Sequence, residues 1–410
     1  MIDREEFYKI EAFSQKYITR IIKLSRSREI LKDKSFLSAS HSILVGEKGV
    51  GKTTLIIQKA LKDKDRFLYI SLDNSLFSNH SLVDYAQVAK SYGYDLIVFD
   101  EIHRYHNWKT DLKVVIDTID IKIVSSGSSI LSFDNLGGLA RRILKYSLKG
   151  ISFREWLNLS YQGDFEQLGF QDLIKNHYEV SKSILEKISV VIKKPIGVLF
   201  EEYLKKGYYA YSLELETENF LALLKQSTED TISSEIVLSH EHTKGLMSRR
   251  LQAIFKVISE QVPFTLDYKR LRELTGISDD KTTKYYLDCL YRAGVLLFLE
   301  KKSLKGLRKL DKIYLGNTCL YYAYADTLAP NIGSIRENFF LNTCRLIDLD
   351  VISHNKSADF EVEGIAFEVG GKSKNTRQIK NEKHAFVVKD IYEIDPNPKV
   401  IPLWAFGFLG

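Results

Sequence analysis

Eight consecutive residues, Gly46-Glu47-Lys48-Gly49-Val50-Gly51-Lys52-Thr53, follow the spacing G-x-x-x-x-G-K-[ST] that binding of a phosphate chain requires. Glycines let successive backbone N–H groups turn inward onto phosphate oxygens, and a helix opening at the end of the loop adds the positive end of its dipole. Contacts from Gly46 through Thr54 are expected, with Lys52 reaching the terminal phosphates of ATP and the Thr53 hydroxyl ligating Mg2+. The rival reading, a glycine-rich turn that matches by chance, has to ignore the apolar run Ile43-Leu44-Val45 just before the loop and the helical pattern from Thr53 to Leu61 just after it.

Hydrolysis needs a carboxylate for the metal and a second one for water. Leu96-Ile97-Val98-Phe99-Asp100-Glu101 offers both at the end of an apolar strand. Asp100 is read as the magnesium partner, directly or through water, and Glu101 as the base or positioner of the attacking water. An acidic pair closing a strand is otherwise a helix cap, but its place about one βαβαβ span after the phosphate loop favours the catalytic reading. A third strand runs into Ser126-Gly127-Ser128, so Ser126 either contacts the γ-phosphate or the attacking water, or lies in an ordinary turn. Arg141 and Arg142 are read either as transition-state cations, acting in cis or on a neighbouring subunit, or as surface arginines.

These residues need a parallel sheet to hold them. Phe67–Ile70, Leu96–Phe99 and Ile121–Val124 read as strands alternating with helical patterns over Ser81–Lys90 and Asp111–Ile119, which is the signature of an α/β layer. Before them, Phe7, Ile10, Phe13 and Tyr17 recur at helical spacing. The alternation stops near Gly150. Ser152-Phe153-Arg154-Glu155 fits a capping box that starts a helix carrying Trp156, and residues 152–245 read as helices without strand signals. Leu251, Ile254, Phe255 and Ile258 stripe one helix. Asp267 and Gly276 bracket a second, and Ser278 to Gly294 a third. Val295–Leu299 and Lys312–Leu315 then make a hairpin, so the order is that of a winged helix-turn-helix. Beyond Leu320 come a helix around Glu337 to Leu346 and strand-like pieces at Ala358–Val362, Ile365–Val369 and Ala385–Val388.

At 410 residues, and about 100–200 per domain, the chain has room for two to four cores. An apolar share of 44% beside 27% charged residues excludes a largely disordered chain. No apolar run reaches the roughly 18–20 residues of a membrane span, and the first residues mix charges where a signal peptide would be apolar, so a cytoplasmic protein without membrane contact is expected. Cys289, Cys319 and Cys344 lack metal or disulfide spacing and read as core residues. His240-Glu241-His242 is not read as a metal site, because i, i+2 histidines leave opposite sides of a helix. The net charge is +6, and Lys281 to Lys312 alone holds nine basic residues against three acidic ones, so the whole excess sits in that segment.

Gly46 to Thr54, Asp100-Glu101-Ile102-His103-Arg104-Tyr105-His106-Asn107-Trp108, Ser126-Gly127-Ser128-Ser129, Leu139-Ala140-Arg141-Arg142 and Ile151-Ser152-Phe153-Arg154-Glu155-Trp156 together resemble a prokaryotic AAA+-like ATPase family. Its members usually read D-E-I-Q-R-x-P-x-W, T-G-S, L-x-G-R and L-S-F-x-E-[FW]. His103 and His106 stand where glutamine and proline are usual, Arg141 replaces a glycine, and the lid's G-G-x-P appears only as Gly207-Tyr208-Tyr209-Ala210. The resemblance covers almost the whole chain. It implies an ATPase domain over 1–150, a helical lid over 151–245, a winged helix over 246–316 and a restriction-endonuclease-like α/β domain over 317–410. By position it makes Ser126 the sensor and Arg142 the family arginine.

In a winged helix, Lys281, Thr282 and Lys284 would face a DNA major groove, while Lys301, Lys302, Lys305, Arg308 and Lys309 would touch backbone phosphates of double-stranded DNA. A protein-binding or intramolecular lid is the rival reading. The resemblance also directs attention to Glu337, Asp359 and Glu368, the carboxylates of a metal-dependent nuclease. The lysine expected two residues past Glu368 is Gly370, and Lys372 would serve only if Gly370 and Gly371 bulge; an inactive, degenerate site is therefore expected. Two functions stand side by side: an ATPase whose nucleotide state controls DNA contact, and a STAND-like signalling switch using the same modules on a protein partner, either one as a monomer or a homo-oligomer.

Overall fold

The computed structural model describes residues 2–63, 65–77, 79–128, 136–238, 244–302, 306–325, 331–354 and 358–410. The chain forms two compact units, Met1–Lys149 and Gly150–Gly410.

In the first unit five strands, β1 (His41–Gly46), β2 (Phe67–Ser71), β3 (Leu96–Asp100), β4 (Lys122–Ser128) and β5 (Leu144–Leu148), form an all-parallel sheet in the order β2-β3-β4-β1-β5. Every residue of β2 and β3 is buried, as expected of parallel strands covered on both faces. Each apolar side chain so buried contributes roughly 1.5–3 kcal/mol. The helix Leu82–Ser91 opens with a complete capping box between Ser81 and Asp84. Helix Arg4–Ile22, capped by Asp3, lays Phe7, Ile10, Ile18 and Ile21 inward, and Phe7 stacks on Tyr92 at 4.0 Å. The sequence pattern did not reveal β5. It is a short edge strand with exposed Leu144 and Lys145, and its alternation is too weak to stand out.

This strand order matters for chemistry. The chain leaves β1, crosses to β2 at the far edge, and returns through β3 to β4 beside β1. The carboxyl ends of β1, β3 and β4 therefore converge, with Gly46 paired to Ser128 and Phe99 to Ser125.

The second unit begins with helices. Ser152 caps Phe153–Tyr161 by accepting from the Glu155 amide at 3.1 Å, and Phe170–Val191, Ile196–Lys206 and Thr217–Asp230 follow. Helices Lys244–Ser259, Tyr268–Thr275 and Asp280–Arg292 come next; the last is capped by Asp279, one residue beyond the expected Ser278. β6 (Phe264–Thr265) lies between the first two of these, and after the third come β7 (Leu296–Lys302), β8 (Arg308–Leu315), β9 (Val351–Ser353), β10 (Phe360–Val362), β11 (Ile365–Gly370), β12 (Ala385–Lys389) and β13 (Val400–Pro402). All eight belong to one sheet in the order β13-β12-β11-β10-β9-β7-β8-β6. The hairpin β7–β8 meets the C-terminal strands through a parallel pairing of Glu300 with Ile352, so a boundary at residue 316 does not separate two sheets. Among the described residues no helix is long and apolar enough to cross a membrane.

Candidate nucleotide site and the second carboxylate cluster

The loop after β1 depends on its glycines. A side chain at Gly46 would place its Cβ 2.3 Å from the Leu148 carbonyl oxygen, so only glycine lets β1 end this close to β5. Gly49 and Gly51 have φ of 85° and 100°, the left-handed region that turns backbone N–H groups inward. Gly51 is also the N-cap of helix Lys52–Lys62, which aims its positive end at the loop. Arg28 supports the loop from outside, donating to the Val50 carbonyl at 2.7 Å and to the Lys149 carbonyl at 3.1 Å. No motif marks Arg28 in the sequence.

Lys52 and Thr53 face the end of β3. The Lys52 ammonium, only 5% exposed, donates to the Glu47 carbonyl at 3.0 Å and lies 3.7 Å from Glu101 Oε1. Asp100 accepts from Thr53 Oγ1 at 2.7 Å and from the Tyr69 hydroxyl at 2.8 Å on one oxygen. Its other oxygen takes Ser126 Oγ and the Glu101 amide at 3.2 Å. Burial, reinforced by the neighbouring Glu101 charge, pushes the Asp100 carboxyl above its ordinary range, and the hydroxyl donors offset only part of this. A divalent cation suits such a position. A buried carboxylate beside a hydroxyl is a hard-oxygen donor set, and positive charge would offset the desolvation. Thr53 and Asp100 would hold the ion, as the sequence anticipates.

Glu101 has φ 51°, a left-handed conformation that costs a non-glycine residue about 1–3 kcal/mol and is held here by its surroundings. Its amide also donates to Ser126 Oγ at 3.1 Å. Ser126 is fully buried and its hydroxyl bonds Asp100 and the Glu101 amide, so it braces the end of β3. His103 lies 3.5 Å from Glu101 Oε2 through Nε2, and its Nδ1 accepts from the Ser128 amide at 3.3 Å. Tyr69 was legible only as a core position of β2. Ser14 of the N-terminal helix receives the Tyr69 amide at 2.8 Å, and Tyr17 stacks on its ring at 5.3 Å.

Arg142 lies away from the phosphate loop. Its guanidinium makes a two-point pair with Asp117 at 2.6 and 3.0 Å and donates to Gly138 at 2.8 Å. It precedes β5, whose first residue Leu144 pairs with Ser42 near the start of β1, while the phosphate loop follows the end of β1. The five residues of β5 alone put about 15 Å between them. In this fold Arg142 is paired with Asp117 at the opposite end of the strands from the phosphate loop.

In the second unit, Glu337 accepts from the Tyr314 hydroxyl at 2.7 Å, Asp359 accepts from the Val369 amide at 2.9 Å, and Glu368 is paired with Lys374. Lys374, not Lys372, is the lysine at Glu368, and Lys372 is exposed. The strand stops at Gly370, and a turn in which Lys374 N donates to the Gly371 carbonyl at 3.0 Å folds the chain back. A Cβ at Gly370 would sit 2.8 Å from Lys374 Cδ, so the missing side chain makes room for the lysine stem. Among the described residues no group of three or more His, Cys, Asp and Glu side chains is disposed to hold a metal ion. Burial, then the charge of Asp359, raises the Glu337 carboxyl; burial also raises Glu368, against the pull of Lys374. A raised carboxyl binds its proton more tightly in the folded chain than in the unfolded one, so it supports stability at low pH and loses that support as pH rises. Glu337→Gln is accordingly expected to raise Tm at pH 8, with the gain shrinking as pH falls into the ordinary glutamate range; melting curves across pH check this.

The basic segment is partly neutralised by its own protein. Lys301 is paired with Asp311, Lys302 lies 3.9 Å from Glu361, and Arg308 binds Asp350 at 2.7 Å and approaches Glu300 at 3.7 Å. Lys281, Lys284 and Lys309 are exposed; Lys284 sits 5.1 Å over the Tyr268 ring. The Thr282 amide and hydroxyl are taken up by Asp279. Lys305, Ser129 and His240-Glu241-His242 lie outside the described residues.

Residues 39–157 match a protein family described as "AAA domain". An uncharacterized protein of Methanocaldococcus jannaschii is 30% identical over 185 residues, a match that takes in 42% of this chain and 38% of the archaeal protein, so the chain spans well under half of that relative. Among solved structures, a Walker-type ATPase of Pyrococcus abyssi is 12% identical over 79% of this chain and 95% of its own, with a TM-score of 0.39. The RuvB Holliday junction branch migration motor of Thermotoga maritima is 17% identical over 75% of this chain and 92% of its own, at 0.28. DnaA of Aquifex aeolicus, bound to AMPPCP, is 12% identical over 66% of this chain and 90% of its own, at 0.31. With the loop geometry, the strand order and the match over residues 39–157, the first unit has the α/β fold of a P-loop nucleotide triphosphatase of the AAA type.

Proposed function

We propose that the protein binds ATP with Mg2+ at Gly46–Thr54 and hydrolyses it, and that the nucleotide state of the first unit controls DNA contact by the second. One observation carries the catalytic part: Thr53 Oγ1 lies 2.7 Å from the buried Asp100 carboxylate, with Lys52 and Glu101 on either side. Magnesium would supply charge neutralisation across the β- and γ-phosphates. Lys52 moves from the Glu47 carbonyl to phosphate oxygens. Glu101 orients a water whose oxygen attacks the γ-phosphorus as the bond to the β,γ-bridging oxygen breaks. ADP leaves with the electron pair, and the water proton passes by way of Glu101 to the products. Arg142 keeps a role only toward a neighbouring subunit.

In this reading helices Lys244–Ser259, Tyr268–Thr275 and Asp280–Arg292 with β7–β8 form a winged helix, the preceding helices a lid, and residues from 317 on a degenerate nuclease-like module. Anisotropy titration of a labelled duplex tests the DNA part. Lys281→Gln, Lys284→Gln and Lys309→Gln together should weaken binding equally on unrelated sequences and reduce the salt slope by roughly 0.9 for each phosphate no longer neutralised. An unchanged slope removes DNA from the proposal. The pairing of Lys301, Lys302 and Arg308 with Asp311, Glu361 and Asp350 favours the second reading, a STAND-like switch in which the same module meets a protein. A DNA titration without any salt-sensitive binding would select it.

A further inference from the structure

Glu101 is held from two sides. Oε1 lies 3.7 Å from the Lys52 ammonium, and Oε2 lies 3.5 Å from His103 Nε2. The two holds differ in what ATP would do to them. Lys52 is the residue that must turn to the phosphates, so its grip on Oε1 is released when the loop is filled. His103 is anchored on the end of β4 and has no phosphate to turn to, so its grip on Oε2 persists.

The imidazole is itself oriented. Ser128 N–H donates to Nδ1 at 3.3 Å, which makes Nδ1 an acceptor and leaves the proton of the neutral ring on Nε2, directed at Glu101. The ring is 8% exposed, while the Glu101 side chain it faces is 25% exposed. Ser128 ends β4, the strand next to β1, and pairs with Gly46 at the entrance to the phosphate loop. The Glu101 backbone is already turned into the left-handed region, and this bend swings the carboxylate back between Lys52 and His103.

We infer that His103 is a positioning residue for hydrolysis: anchored by the Ser128 amide, it holds Oε2 of Glu101 so that Oε1, vacated by Lys52, faces the attacking water. This rests on the reading of Glu101 as the residue that handles water. A carboxylate free to rotate would present the wrong oxygen or drift from the line of attack, and the loss would fall on turnover and not on affinity. Histidine is suited to the task because one planar group accepts at one edge and donates at the other. A glutamine side chain offers the same pair of functions, and an apolar side chain of similar size offers neither.

The experiment is steady-state phosphate release by the full chain with Mg2+ and ATP, for wild type, Glu101→Gln, His103→Leu, His103→Gln and the double variant Glu101→Gln/His103→Leu. Loss of turnover in Glu101→Gln establishes the underlying reading on its own. Given that, His103→Leu is expected to lower kcat about 10- to 100-fold with KM for ATP within about twofold of wild type. His103→Gln should recover most of the loss, and the double variant should fall no lower than Glu101→Gln, because the two residues act as one unit. Wild-type kcat in His103→Leu overturns the inference. So does a KM that rises in step with the loss of kcat, or a His103→Gln protein as impaired as His103→Leu, since either marks a ring that only fills space. If wild type turns over ATP and Glu101→Gln does so equally fast, the reading of Glu101 fails first and the inference falls with it.

Discussion

Lys52→Ala is expected to abolish measurable ATP binding, with affinity falling by at least about 100-fold in isothermal titration. The ammonium is 5% exposed and already turned over the loop, donating to the Glu47 carbonyl 3.0 Å away, so it reaches phosphate without an unfolding step. Removing it leaves a phosphate chain facing N–H dipoles and the positive end of helix Lys52–Lys62 without the buried ammonium that faces the loop. Charge-assisted bonds in a partly dry site are about twice as strong as neutral ones, and phosphate binding loses most from their absence. Glu101, no longer paired with an ammonium 3.7 Å away, would then repel the ligand. Titration as tight as wild type would mean that Lys52 serves only to neutralise Glu101.

Glu101→Gln is expected to separate binding from turnover: ATP affinity near wild type, with kcat lower by about 100-fold or more. The amide keeps the shape and the hydrogen-bonding reach of the carboxylate but cannot take a proton. It also removes a negative charge 3.7 Å from Lys52 and next to buried Asp100, so affinity is expected to hold or improve slightly. The same substitution lowers the electrostatic pressure on the Asp100 carboxyl, whose upward shift owes its second-largest part to Glu101. Phosphate release beside equilibrium binding on one preparation checks both halves.

The phosphate loop and the acidic pair were legible because each is local. Gly46 to Thr53 is contiguous, and Asp100-Glu101 ends a run whose continuous apolar character announces a parallel strand. What escaped depends on strand order and on turns. Arg142 sits close to the motifs in sequence, but β5 runs parallel to β1, and residues just before a strand lie at the opposite edge from a loop that follows one. Tyr69 resembles any aromatic in a buried strand until β2 is placed beside β3, which brings its hydroxyl onto Asp100. Lys374 lies six residues past Glu368, and only the turn after Gly370 shortens that path; the sequence offered Lys372 only by way of a bulge at Gly370 and Gly371. The basic count between Lys281 and Lys312 was correct as a sum, but its partners Glu361, in β10, and Asp350, just before β9, are brought in by strands that join the hairpin in one sheet, a pairing no local pattern announces. Short strands of three residues, such as β9 and β13, carry too few positions for alternation to speak.

The most direct test of ATP hydrolysis at the Lys52–Thr53–Asp100–Glu101 site is the rate of phosphate release from ATP by the purified full chain, measured with Mg2+ and with excess EDTA. Turnover that requires Mg2+, vanishes in EDTA and is lost in a parallel Asp100→Asn sample is the predicted result. A rate that is the same in EDTA, or no Mg2+-dependent turnover above the Asp100→Asn sample, would contradict it.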